Sequence, residues 1–210
     1  MNLKVFGVQM LYLWKVLWHP IDSFYDIVYK GKGSVASASL IYVLYFVALV
    51  IQTMVTNFVF NPYGLHGTPI PQIFVMYVLP ILVLVIANCL VSAIKGGQGT
   101  YKAVFIAKAY ALAPVVIFIV PLALFSNILT GAEEAIYDSI LLFVYAWMGF
   151  FIYLSIMEVH GYSITEAIRN TLWIVFAGAI LVLFAFAFFG ITFQSANFLY
   201  EFFREAIGYV

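Results

Sequence analysis

Charged residues are scarce in this chain of 210 residues. Aspartate, glutamate, lysine and arginine make up 9% of the sequence and apolar residues 66%, whereas about 25% of the residues in an average soluble domain are charged. With so few polar side chains, a folded chain of this size would leave large apolar areas facing water. The composition therefore excludes a soluble globular enzyme and predicts a membrane protein without a sizeable soluble domain.

Cysteine and net charge are also lacking. Cys89 is the only cysteine, so the chain can form neither an intramolecular disulfide nor a cysteine-based metal site. Nine basic residues balance nine acidic ones, so the charge does not indicate nucleic-acid binding. We expect no cofactor, no metal ion and no nucleic-acid partner.

Long apolar runs, by contrast, occur five times. Each can cross the hydrocarbon core of a bilayer as a helix, which takes about 20 residues, and none alternates in hydrophobicity as the strands of a barrel do. The sequence therefore predicts an all-α, polytopic bundle of transmembrane helices in residues 34–210. The five predicted spans are residues 35–60, 72–94, 103–126, 136–157 and 167–193.

Lysine and arginine are distributed unevenly about these spans. Eight of the nine lie on the side of the N-terminus, and Arg204 alone lies on the other side. Because basic loops tend to stay in the cytoplasm, we expect a cytoplasmic N-terminus and a C-terminus outside, in the cell membrane if the chain is prokaryotic.

Residues 1–33 form a separate segment before the first span. The run from Val5 to Trp18 is apolar but too short to cross a bilayer, and no small-residue cleavage site follows it, which argues against a signal peptide. Its side chains divide into an apolar face with Leu3, Phe6, Met10, Leu13 and Leu17 and a polar face with Lys4, Tyr12, Lys15 and His19. We predict an amphipathic helix lying on the inner leaflet, followed by a short helix that starts at Pro20.

Two turns on the same side of the membrane as the N-terminus are similar in sequence. Residues 97–103 align with residues 161–167, with a glycine first and an alanine last in both. In each turn a glycine would end one span and a hydroxyl residue would cap the next, and Ser163 with Glu166 fits a capping box. This pattern favours two helical hairpins arranged as a parallel repeat. A chance likeness of two common turns is the equal alternative.

Few polar side chains lie within the predicted spans. Asn88 is expected to hydrogen-bond a neighbouring helix as a packing residue, with a polar path through the bundle as the alternative. Lys102 and Lys108 are expected to extend from the third span towards the headgroups. There they could hold anionic lipid or an acidic residue of a partner.

Glu158, His160 and Tyr162 cluster where the fourth span ends. Residues two apart do not share a helix face, so a solvated loop is expected, with a metal site as the minor alternative. The sequence contains neither a nucleophile–base pair nor a phosphate-binding loop, so we predict that the protein is not an enzyme. The candidate contact residues for a partner or for lipid are Lys102, Lys108, Tyr110, Glu158, His160 and Tyr162.

Three segments carry a resemblance to the Yip1-domain family. Residues 18–24, WHPIDSF, resemble the family's proline–phenylalanine segment before the first span. Residues 96–103, GGQGTYKA, followed by AYALAP at 109–114, resemble its glycine turn and Ala-Tyr-Ala-x-x-Pro run. Residues 159–163, VHGYS, resemble the segment before its fifth span. The family's five spans and cytosolic N-terminus also agree with the expected topology.

The resemblance implies a five-helix membrane domain without catalysis. Eukaryotic relatives act in membrane trafficking, bind Rab-type GTPases and associate with one another. This chain has neither their long N-terminal region nor their Asp-Leu-Tyr-Gly-Pro motif, so it is more similar to short prokaryotic members, and GTPase binding is not carried over.

Three functions are compared on this basis. The first is a non-enzymatic role in membrane organisation or in recruitment of protein partners at the inner leaflet, with lipids, other membrane proteins and a second copy of the chain as expected partners. The second is a small transporter, channel or lipid scramblase, which Asn88, the prolines within the spans and the possible repeat would suit. An enzyme that uses Glu158 and His160 ranks last.

Overall fold

The apolar runs fold into long helices in the computed structural model, which describes residues 3–208 and the side chains of residues 6–205. All regular elements of this range are helical. The main helices are α1 Leu3–Trp18, α2 Pro20–Tyr29, α3 Val35–Val55, α4 Ile70–Lys95, α5 Tyr101–Phe125, α6 Gly131–His160 and α7 Ile164–Gly208. Five of them, α3 to α7, are long and apolar enough to cross a membrane. The predicted all-α bundle with five spans is therefore confirmed, and the chain is a multi-pass membrane protein.

Capping residues decide where several of these helices start and stop. α3 begins at Ser34, whose hydroxyl accepts from the backbone N–H of Ser37 while the Ser37 hydroxyl accepts from the N–H of Ser34. α4 and α6 end at Gly96 and Gly161, which have φ angles of 73° and 64°, a left-handed conformation that glycine adopts without strain. Gly96, not Gly97, is thus the structural counterpart of Gly161, so the predicted alignment of the two turns is wrong by one residue at its start.

Three predicted span ends differ from the structure by three residues or more. The first span stops at Val55 instead of residue 60, since Thr56 leaves the helical conformation. α6 continues through His160, three residues beyond its predicted end. α7 continues to Gly208 instead of stopping at residue 193, because the polar residues that follow lower the hydrophobicity without breaking a helix.

α5 lies at the centre of the bundle. About 67% of its most apolar segment is buried, compared with 33% for α3 and α4, 28% for α6 and 11% for α7. It packs against α3, α4 and α6, and small residues at Ala107, Ala109, Ala111 and Ala113, all fully buried, allow this close approach. α7 packs on α4 and the end of α6, and every residue from 183 to 205 is exposed.

The N-terminal helices α1 and α2, called the cap below, pack on one end of the bundle. α2 buries Phe24 and Ile27, with the Phe24 ring edge-on to Phe151 of α6 at 6.2 Å between centroids. α1 buries Leu13 and Leu17 in contacts with α3 and α5. Much of the apolar face predicted for α1 therefore contacts protein; the side chains of Leu3 and Lys4 lie outside the described ones.

A polar network of four residues joins the two cap helices. Asp26 accepts from Lys30 at 2.8 Å, from Lys15 at 3.0 Å and from the hydroxyl of Tyr12 at 3.2 Å. Hydrogen bonds from Lys30 and Lys15 hold the pKa of Asp26 well below its usual value. The bond to Asp26 in turn raises the pKa values of both lysines.

Acid is expected to loosen the cap through this network. Because the native pKa of Asp26 is lowered, its stabilising contribution is complete above the ordinary carboxyl pKa of about 4 and is lost as the pH falls through the lower native value. The loosening of the cap would be measured by an acid titration of the fluorescence of Trp14 and Trp18, with the other two tryptophans replaced. Asp26→Asn should give the acid-like signal already at neutral pH; an unchanged acid transition in that variant would contradict the assignment.

Candidate functional site

Buried polar side chains from α4, α5 and α6 meet near the cap end of the bundle. We call them the buried polar cluster: Asn88, Ser92, Lys108, Ser155 and His160, each at most 2% exposed. They come from three different spans, so helix packing alone brings them together.

The imidazole of His160 is at the centre of this cluster. Its Nδ1 accepts a hydrogen bond from the backbone N–H of Gly99 at 3.1 Å, which assigns the ring proton to Nε2. Nε2 lies 3.0 Å from Asn88 Oδ1 and 3.0 Å from Ser92 Oγ, and the Ser92 hydroxyl donates to the same Asn88 oxygen at 3.2 Å. Both ring nitrogens are thus occupied, and the bonding pattern is that of a neutral histidine.

The glycine turn between α4 and α5 is shaped around this ring. A Cβ atom at Gly97 would lie 2.5 Å from the Tyr162 hydroxyl and 2.7 Å from His160 Nδ1. The Tyr162 ring stacks on the imidazole at 5.2 Å between centroids. Since only glycine fits such a close approach, the turn and the end of α6 are matched surfaces.

Lys108 is the lysine of the cluster. Its Nζ donates to Ser155 Oγ at 3.3 Å, and the Ser155 hydroxyl donates to the Ile152 carbonyl at 2.7 Å. The prediction that Lys108 extends to the headgroups is wrong, because α5 is central and surrounded by other helices at this level. A buried amine with a single neutral partner is costly, and an ionisable residue in such a place is a candidate for function.

The other predicted residues are divided between the interior and the surface. Tyr110 is fully buried, with its hydroxyl 3.0 Å from the Gln9 carbonyl and 3.1 Å from Ser37 Oγ, so it ties α1 to α3 and α5. Glu158 is half-buried, and its backbone carbonyl accepts from the Tyr29 hydroxyl at 3.1 Å. Lys102 is exposed.

Two expectations for the set of contact residues change as a result. The solvated loop predicted around Glu158 and His160 is wrong, since both belong to α6 and His160 is buried in the bundle. A partner or a lipid headgroup can touch only the accessible members of the set, which are Lys102, Glu158 and Tyr162. Lys108, Tyr110 and His160 would influence such a contact only through the packing of the helices.

Ser155 was not singled out in the sequence, and the hydrogen bonds of Ser92 and Gly99 to His160 were not predicted. Asn88 and Ser92 are four residues apart and so share a helix face, a signal that could have linked those two. Ser155 carries no comparable signal. Among the residues that the structure describes, no group of three histidine, cysteine or acidic side chains is placed to hold a metal ion. Hydrogen bonds of the cluster join α6 to α4 through His160 and to α5 through Ser155.

Comparison with family models, with curated proteins and with solved structures finds no match for this chain. The resemblance to Yip1-domain proteins accordingly rests on the sequence segments alone.

Proposed function

We propose that the protein is a non-enzymatic membrane organiser of the Yip1-domain type, which recruits protein partners at the cap end of its bundle. We further propose that this end faces the cytoplasm, in keeping with the unequal distribution of lysine and arginine. One observation carries the proposal: an open cleft between the cap and α5, with a basic residue in its wall.

The cleft has a volume of about 190 Å³ and lies where the linker after α2 passes the first turns of α5. Its walls are formed by Ile27, Val28, Gly31, Gly33, Thr100, Lys102, Ala103 and Ile106. Lys102 is the one charged residue among them. Lys32, in the linker between the lining residues Gly31 and Gly33, is also exposed. A positively charged, partly apolar cleft suits an acidic side chain of a partner that also offers an apolar contact.

The cap is fixed to the bundle, which supports this role. The Tyr110 hydroxyl bonds α1, the Tyr29 hydroxyl bonds the Glu158 carbonyl, and Phe24 packs on Phe151. A cleft held open in this way needs little ordering when a partner binds. The exposed rings of Trp14 and Trp18 suit the headgroup region, so membrane lipids are proposed as the other partner of the cap.

Crosslinking in native membranes tests the proposal. A photo-reactive amino acid at position 28, inside the cleft, should give a discrete protein adduct. Lys102→Glu should lower its yield about fivefold, because one attraction becomes a repulsion. Arg204→Glu, a charge reversal at an exposed residue of α7, is the matched control and should leave the yield unchanged.

A small transporter, channel or lipid scramblase is the second candidate, and buried Lys108 is the observation that favours it. The two candidates predict different results in the same preparation. Partner recruitment would be rejected in favour of transport if no adduct forms at position 28 and if solute or lipid moves across proteoliposomes faster than across empty vesicles. An adduct with unchanged yield in Lys102→Glu would also contradict the proposed cleft.

A further inference from the structure

A second cavity lies at the end of the bundle opposite the cap, and we call it the distal cavity. It has a volume of about 220 Å³ and lies between the end of α3, the following loop and the first turns of α4 and α6. A single water occupies about 30 Å³ of the liquid, so the space accepts a small organic molecule. None of the residues discussed so far for partner binding belongs to it.

Three aromatic rings from three elements form part of its wall. Phe60 of the loop stacks on Tyr137 of α6 at 4.9 Å between centroids, with an interplanar angle of 27°. The Tyr137 hydroxyl lies 3.4 Å from Thr56 Oγ1, which fixes the direction of that ring. The third ring is Tyr77 of α4.

Tyr77 belongs to an irregular part of its helix. Residues Phe74–Val78 form a π-helical turn, in which the N–H of Leu79 donates to the carbonyl of Phe74. Pro80 follows directly and has no N–H for the usual helical bond, which favours the wider turn. Such π turns are uncommon and often occur at functional sites.

The charge of the distal cavity has one sign. Asp138 is its only charged lining residue, while Gln52 and Thr68 add an amide and a hydroxyl group. All ion pairs among the described side chains involve Asp26 of the cap, so within that part of the chain the Asp138 carboxylate is not neutralised by a lysine or arginine. The cavity therefore favours a cation.

We propose that the distal cavity binds a small organic cation, with its ammonium group among the rings of Phe60, Tyr77 and Tyr137 and its charge facing Asp138. Aromatic rings attract such cations through their negative faces. Tyr137 is buried, whereas Tyr77 and Asp138 are exposed to solvent. A bare metal ion would need several oxygen ligands at short distance, and Asp138 is the only carboxylate in the cavity.

Choline and its neutral isostere 3,3-dimethyl-1-butanol are matched probes for this site. Isothermal titration of the purified full chain in nanodiscs should show choline binding, and the isostere should bind at least tenfold more weakly. Asp138→Asn should weaken choline binding about fivefold, since Asp138 is exposed and attracts the quaternary ammonium by charge alone. Tyr77→Leu should weaken it by about the same factor. Glu134→Gln removes an exposed carboxylate of the same helix outside the cavity and should change the affinity less than twofold.

Equal affinity for choline and the isostere, or unchanged affinity in Asp138→Asn, would overturn the proposal. Absence of choline binding, together with sodium binding that Asp138→Asn abolishes, would assign the cavity to a metal ion instead. Thermal unfolding of each variant shows whether a lost signal reflects lost folding. The Lys102→Glu variant should bind choline normally, so failure of the cation site can be distinguished from failure of partner recruitment at the cap.

Discussion

Replacing Gly99 by alanine is expected to destabilise the protein by about 2–3 kcal/mol. The added methyl group would overlap the side chain of Val159 and would lie 2.8 Å from two atoms of the His160 ring. Both residues are buried, so neither can move away cheaply. The glycine turn would have to shift instead, and the hydrogen bond from the Gly99 N–H to Nδ1 would be lost or lengthened.

Thermal or denaturant unfolding in detergent micelles measures this loss. Gly149→Ala is the matched control, since Gly149 is exposed within α6 and a Cβ there would meet nothing within 4 Å. Its stability should change by no more than about 1 kcal/mol. If Gly99→Ala unfolds at the same temperature as the control, the close fit of the turn to His160 does not contribute to stability.

Replacing Lys108 by methionine is expected to stabilise the protein by about 1–4 kcal/mol, by analogy with buried ion pairs that give way to apolar residues of similar size. The lysine has lost its water and has gained one neutral hydrogen bond, to Ser155. Methionine is also unbranched and fills irregular space. The Ser155 hydroxyl keeps its bond to the Ile152 carbonyl, so the substitution leaves no polar atom without a partner.

Two further variants make the Lys108 prediction specific. Ser155→Ala should destabilise by about 1–3 kcal/mol, because it leaves the buried amine without its acceptor. Lys102→Met, at an exposed position of the same helix, should change stability by about 0.5 kcal/mol or less. A loss of stability in Lys108→Met would show that the amine has a favourable role in the folded bundle, which the single bond to Ser155 does not supply.

The spans were predictable from the sequence because residues in lipid are apolar all round, so a long apolar run is enough to indicate a helix. The left-handed glycines Gly96 and Gly161 likewise mark helix ends by a local rule. The end of α7 was not predictable in this way. Hydrophobicity ends near residue 193, whereas the helix continues, because helix formation and hydrophobicity are separate properties.

The candidate sites depend on contacts that the sequence does not encode locally. His160 meets Asn88 only because α4 and α6 both pack against α5 and α7, and Lys108 is buried only because α5 is central. The distal cavity combines Phe60, Tyr77 and Tyr137 from three elements. Of these features, two gave a local signal: Asn88, as a polar residue within a span, and Pro80, as a residue that disturbs a helix.

The length of α7 has a consequence for how this helix crosses a bilayer. Its apolar stretch after residues 169–171 covers residues 172–193, about 33 Å at 1.5 Å per residue, which is close to the average hydrocarbon thickness of about 30 Å. Every residue from 183 to 205 is exposed, so little packing fixes the direction of the helix there, and tilting can absorb the small excess of length. The remainder of α7 then extends beyond the hydrocarbon core as a helix.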